Sequence, residues 1–270
     1  MSSEAGSTPT PFGKARLPPL ANGVTAPVTL AGTVAQINAE MLAALTILQL
    51  HRPGAPVVYA AHPMAMDMRT GMSSISTPEV GLMSAACVAM GRHYGLPTSS
   101  NGLCTDTCAP DPMATLEKWA CGFLPAIAAA NVNAGAGSLA CVGSVSLEQL
   151  VIDDDLYGHV RRLARGLDLT DEAIAEEVIE AVGPGRDFLL EDHTLAHFRT
   201  EHYSSPLASR LNAATWEAAG AVDVLERAAA AVDDILGKPL EPRLQAAQTR
   251  EVGRLQAQAE AALRDLPVRI

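Results

Sequence analysis

The sequence predicts an α/β protein: about four βα units forming part of a parallel (βα)8 TIM-type barrel, then a C-terminal helical extension. Short β-like runs alternate with segments whose apolar residues recur at helical spacing, the order that builds a parallel sheet. The alternation stops after four units, and from about residue 167 the pattern is helical alone. The apolar fraction is 48% but only ten residues are aromatic, so Ala-rich helix faces must supply much of the packing.

Residues 1–19 are rich in Ser, Thr, Pro and Gly, which leaves little apolar surface to bury and predicts a flexible leader. The barrel segment is assigned to residues 20–166 and the helical extension to 167–270. The first strand is expected over Gly23 to Val28, before a helix carrying Val34, Ile37, Met41, Leu42, Leu45 and Leu48 on one face. Pro53 and Gly54 stop it. A second strand, Pro56 to Ala60, leads through a long loop to Thr77, where Pro78 and Glu79 open a helix that ends at Gly95. The third strand, Leu96 to Ser99, precedes a polar loop and a helix from about Met113 to Ala129. The fourth, Ala130 to Gly135, enters the Gly-rich stretch GAGSLACVG and the helix SLEQLVIDDDLYGHVRRLARG. In the extension, Thr170 is a helix N-cap candidate and one long helix is expected from Asn212 to Leu236.

A complete (βα)8 barrel takes about 250 residues, so four units make half of one. Parallel strands are normally covered on both faces, and open edges invite pairing. The arc therefore calls for completion, by a second copy in a homodimer or by a companion half-barrel chain. An open four-stranded sheet covered by the later helices is the alternative.

A net charge of −11, with 19 basic residues scattered among 30 acidic ones, argues against a nucleic-acid partner. Five cysteines, an odd number in apolar or helical contexts, suit a reduced, cytoplasmic location. No run of about 18 apolar residues lacks Gly, Pro or charge, so no membrane partner is expected.

Five ordered blocks carry a resemblance: TAPVTLAGTVAQINAEMLAA, RPGAPVVYAAHPMAMDMRTG, YGLPTSSNGLCTDTCAPD, SLEQLVIDDDLYGHVRRLARG and VGPGRDFLLEDHTLAHFRTEHY. In this order they resemble the C-terminal half of the trimethylamine methyltransferase family, corrinoid-dependent enzymes of about twice this length. The resemblance implies transfer of a methyl group from a tertiary or quaternary methylated amine to a corrinoid, a cobalamin-type cofactor carried by a partner protein. Trimethylamine enzymes of methanogenic archaea place pyrrolysine in the loop after the seventh strand, before a Ser-Asp pair. Cys104 stands at that position here, before Thr105 and Asp106, so the chain resembles the members without pyrrolysine, some of which demethylate glycine betaine. Nothing matches the family's N-terminal half, and a non-catalytic half barrel that binds a partner or ligand is the alternative function.

Polar residues at strand C-terminal ends are the site candidates, because barrel active sites lie there. Cys104 and Asp106 are the catalytic candidates. Thr29, Glu40, Tyr59, His62, Asp67, Asn101, Asn133 and Glu148 are the substrate-binding candidates. Asp67 offers negative charge to a cation, or else braces its loop against Arg69. Asp106 equally suits a loop stabiliser. Gln36, Asn38 and Glu40 alternate along a helix and cannot all face one way. Tyr59 is the one aromatic expected near a strand end, too few for a cage around a quaternary ammonium. Cys104 and Cys108 have a zinc-compatible spacing without a second pair nearby, and no tightly bound metal is expected. His193 and His197 share a helix face but lack the Glu of a zinc hydrolase motif, so helix packing is their expected role.

Overall fold

The computed structural model describes residues 20–239 and 244–263; the expected leader lies outside the described residues. The fold is mixed α/β, with small sheets and no closed barrel among the described residues.

Strand β1 (Ala21–Asn22) pairs in parallel with β3 (Met64–Asp67), Ala21 opposite Met64. Strand β2 (Tyr59–Ala60) pairs in parallel with β5 (Thr98–Ser100), which pairs in parallel with β6 (Val132–Asn133). Strands β2 and β3 belong to one run, interrupted where Pro63 has no N–H for a ladder. The parallel pairings, β1 with β3 and β2 with β5 with β6, thus occupy four parallel positions in chain order that are divided between two small sheets.

Several expected boundaries move. The first strand is earlier and shorter, because the N–H groups of Val24, Thr25 and Ala26 all donate to the Ala21 carbonyl and turn the chain at once. The loop toward Thr77 contains a hairpin of β3 with β4 (Met72–Ser74). The Gly-rich stretch holds another, β7 (Ser138–Leu139) with β8 (Ser144–Val145).

Helices α1 (Leu30–His51), α2 (Pro78–His93), α3 (Pro112–Ile127) and α4 (Leu147–Arg165) follow the four parallel positions. Pro sits in the first turn of α2 and of α3, where a missing N–H costs nothing. Helix α2 ends as Gly95 takes φ +68°, with its N–H donating to Arg92 and that of Leu96 to Gly91. The core lies between strands and helices. Leu20, Ile37, Tyr59, Ala61 and Cys87 form one cluster, and Ala65, Val80, Met83 and Cys121 form the next. Leu103 packs with Leu156 and Val160 between α3 and α4.

Helix α1 is long and apolar enough to cross a membrane by length and composition, and its unbroken run includes Gly32 and the charged Glu40. Thr33 and Ile37 are buried, while Ile47 and Leu50 are 68% and 80% exposed.

In the extension, α5 (Asp171–Ile174) is capped by Thr170, whose side chain accepts from the N–H of Ala173. Helices α6 (Glu176–Val182) and α7 (Asp192–Glu201) follow. The single helix expected from Asn212 to Leu236 is two, α8 (Ala213–Ala218) and α9 (Val224–Leu236). Gly220 and Ala221 both take positive φ between them, and Asp223 starts a new turn by exchanging hydrogen bonds with Glu226. Ala228 of α9 packs against Ile152 and Leu207. The described residues from 233 onward cluster as a separate unit containing α10 (Ala246–Leu263).

Candidate functional site

The loop after β5 is the most polar feature at the strand C-terminal ends. The Asp106 carboxylate accepts from the hydroxyl of Ser74, from that of Ser76 at 2.6 Å and from the Ile75 N–H at 3.1 Å. All three donors come from the end of β4. The Asp106 N–H donates to Glu117 of α3 at 3.0 Å, and the Thr105 hydroxyl donates to the same carboxylate oxygen. One acidic side chain thus ties the β4 end to the loop, and a second ties the loop to α3.

The turn of the β7–β8 hairpin closes over this loop. Ala140 N–H donates to the Thr107 carbonyl at 2.7 Å, and Cys141 N–H to that of Thr105 at 3.0 Å. Ala140, Cys141 and Val142 are three consecutive non-glycine residues at positive φ, 51°, 52° and 66°. Left-handed backbone costs such residues about 1–2 kcal/mol each, so the two cross-loop hydrogen bonds hold a strained segment. Cys141 is exposed; burial and then contact with Asp106 push its thiol pKa up.

Cys104 is 2% exposed, and burial pushes its thiol pKa up, offset in part by a Ser138 hydrogen bond and by Lys118. A buried neutral thiol is a poor nucleophile. Asn133, at the end of β6, donates to the Gly122 carbonyl at 3.0 Å and lies so close to Gly102 that a methyl group there would come within 1.9 Å of its oxygen. Asn101 is half-buried at the end of β5. The structure therefore brings Cys104, Asp106, Asn101 and Asn133 to one loop system, and adds Glu117 and Cys141.

The other candidates are engaged elsewhere. Thr29 is the exposed N-cap residue of α1 and makes no side-chain cap bond. Glu40 accepts from Gln36 at 3.1 Å, whereas Asn38 on another side of α1 donates to Tyr94 at 2.9 Å. Tyr59 donates to Asn38 at 3.0 Å and packs in the core against α1 and α2, so it is turned toward the helices and supplies no aromatic wall to the open sheet face. Burial raises its pKa. His62 is half-buried beside Pro63. Asp67 is braced by Arg69 at 3.2 Å, whose guanidinium holds the carboxyl below its usual range. Glu148 accepts from Ser146 at 2.6 Å, which lowers its pKa, while Ser146 caps α4 by accepting from Gln149 N–H.

No group of three or more His, Cys, Asp or Glu side chains among the described residues could hold a metal ion. The rings of His193 and His197 lie 4.4 Å apart, and both contact Glu172, a helix-to-helix arrangement.

A buried polar centre escaped the sequence reading altogether. Lys118 of α3 and Asp153 of α4 form an ion pair at 2.6 Å with both side chains 0% exposed. Lys118 also donates to the Leu103 carbonyl at 2.8 Å. Asp153 accepts from the Gly137 N–H at 2.6 Å and from Gln149 at 2.7 Å. Residues 35 apart gave no sequence signal, since each sits in an ordinary helix pattern.

Among the described residues, the sheet face opposite the helices is uncovered at Ala60 and Val132. Ala60, Ser99 and Val132 lie side by side in register on it; Ala60 is exposed, Ser99 half-buried and Val132 53% exposed. Its side chains are small, two apolar and one a hydroxyl, and none is charged.

Comparison with known proteins gives one consistent result. The family model described as trimethylamine methyltransferase (MTTB) matches residues 13–263. Trimethylamine methyltransferase MttB of Methanosarcina barkeri is 38% identical over 216 residues, 80% of this chain and 43% of that protein. The protein of the same name from Desulfitobacterium hafniense (strain DSM 10664 / DCB-2) is 37% identical over 207 residues, covering 77% and 42%. Glycine betaine methyltransferase of Desulfitobacterium hafniense (strain Y51) is 34% identical over 228 residues, covering 82% and 46%. The chain thus spans less than half the length of these relatives.

Proposed function

The chain belongs to the trimethylamine methyltransferase (MTTB) family, and from that membership we propose that it is one half of a (βα)8 barrel that presents a methylated tertiary or quaternary amine to a corrinoid protein. The observation that carries this reading is the order of the parallel strands, β1, β2–β3, β5, β6, each followed by its helix, with the polar loops gathered after β5 and β6. The uncovered face of Ala60, Ser99 and Val132 and the exposed flank of α1 at Ile47 and Leu50 support completion by a second set of units.

In this reading the corrinoid, a strong cobalt nucleophile when reduced, arrives with its partner protein, and the described residues are not assigned to hold it. What this chain supplies is position. Ala60 and Val132 on its sheet face suit the methyl groups of an ammonium ion, and Asn101 and Asp106 lie in the loop that follows β5. The full demand of a cation is not met by this half, because Asp106 already serves three donors. The companion half, or a second copy, supplies the remainder.

The test is to incubate the chain, alone and with a companion half-barrel chain, with cob(I)alamin and a panel of tertiary and quaternary amines. Methylcobalamin formation is expected from the combined halves; none from any combination retires the proposal. A second reading, a half barrel that binds a partner without catalysis, is favoured by the buried Cys104 thiol and the fully engaged Asp106. A stable monomer in sedimentation, without turnover, selects it.

A further inference from the structure

Two charges sealed from water are costly, and a buried ion pair is on average no more stabilising than apolar side chains of the same size. The Lys118–Asp153 pair therefore needs a reason beyond stability. Its hydrogen bonds supply one. Lys118 reaches the carbonyl of Leu103, the residue immediately before Cys104 in the loop after β5. Asp153 reaches the N–H of Gly137, in the loop after β6 that continues into the β7–β8 hairpin and Cys141. The two loops thus hang from one ion pair, at 2.8 and 2.6 Å, behind the point where their tips meet through Cys141, Thr105 and Asp106. Gln149 holds the second oxygen of Asp153, so the carboxylate cannot swing away.

We propose that Lys118 and Asp153 are positioning residues: a buried clamp that sets the spacing of the two loops framing the amine site. The role as part of that site rests on the methyl-transfer reading, but the clamp itself is a property of the loops. It holds Cys104 against Gly135, where even one added methyl group would come within 2.5 Å of the sulfur. Cys104 is therefore a native reporter of the clamp. Cys87, 2% exposed in the separate cluster between β2, α1 and α2, reports the rest of the core.

The experiment uses the full chain and the double variant Lys118→Met/Asp153→Leu, which exchanges both charges for apolar groups and leaves neither unpaired. Native-state iodoacetamide labelling at pH 8, resolved cysteine by cysteine, is combined with thermal melting. The expected result is a melting temperature lowered by only a few degrees, since the Gly137 N–H, the Gln149 amide and the Leu103 carbonyl lose their partners, with Cys104 labelling at least about tenfold faster and Cys87 labelling unchanged, the signature of local opening. Cys104 protection equal to wild type overturns the proposal. So does a parallel rise at Cys87 and Cys104, which means that the pair holds the whole core. If the double variant does not fold, Asp153→Asn is carried through the same labelling; it leaves the buried Lys118 ammonium without its counter-charge, so a lowered melting temperature is expected together with the same selective rise at Cys104, and failure of both to fold also overturns the proposal. Labelling needs no amine, so a wild-type chain without methyl transfer retires the functional reading while leaving the clamp to stand or fall on its own data.

Discussion

Replacing Asp106 decides whether this carboxylate is a brace or a group held in reserve for a ligand. Asp106→Ala removes the acceptor for the Ser74 and Ser76 hydroxyls and for the Ile75 N–H, and both serines are buried, 8% and 3% exposed. A buried donor left without a partner costs about 1–3 kcal/mol. The hydroxyls can rotate toward other acceptors, so the firm loss is the Ile75 N–H and one hydroxyl, about 2–6 kcal/mol in total. Asp106→Asn keeps one acceptor oxygen and the shape of the side chain, and should cost about 1 kcal/mol. The assay is urea unfolding, in which the midpoint should fall in the order wild type, Asn, Ala with an unchanged slope. An Ala variant within about 0.5 kcal/mol of wild type, or one more stable, refutes the brace, because a carboxylate kept for a ligand is commonly held at the expense of stability.

Gly102→Ala should destabilise by about 2 kcal/mol because its methyl group meets Asn133, and Asn133→Ala in the same chain should recover much of that loss in a double-mutant cycle. Ser146→Ala, which removes the cap of α4, should cost about 1 kcal/mol in the same unfolding assay. Burial raises the thiols of Cys87 and Cys121 from 9.0 to about 12, so stability from their neutral forms is intact below pH 9 and lost as pH rises from 9 toward 12. Unfolding midpoints should accordingly fall between pH 9 and 10, and a Cys87→Ala/Cys121→Ala chain should show a shallower fall than wild type.

Local chemistry made much of this protein legible in its sequence. The helices α1 to α4 follow apolar spacing, Pro at first turns and Gly95 at an end, all of which act within a few residues. The loop after β5 stood out because it concentrates Asn101, Cys104 and Asp106, and the incompatibility of Gln36, Asn38 and Glu40 on one helix face was readable from helical geometry: Gln36 pairs with Glu40, while Asn38 meets Tyr59 and Tyr94. Ordered motifs identified the family.

Tertiary structure alone decided what those polar residues touch. Tyr59 faces the helices because its neighbours Ala61 and Cys87 are core, a choice of strand face that a two-residue strand does not encode. The break between α8 and α9 depends on Ala221, a residue with no local preference for positive φ. Asp106 found its donors about 30 residues away at the β4 end, and Lys118 met Asp153 across two helices. Such pairings depend on distances between elements, and sequence periodicity describes only the elements themselves. A buried charge is stable only beside its partner, so the site's electrostatics came into being when α3 and α4 packed together.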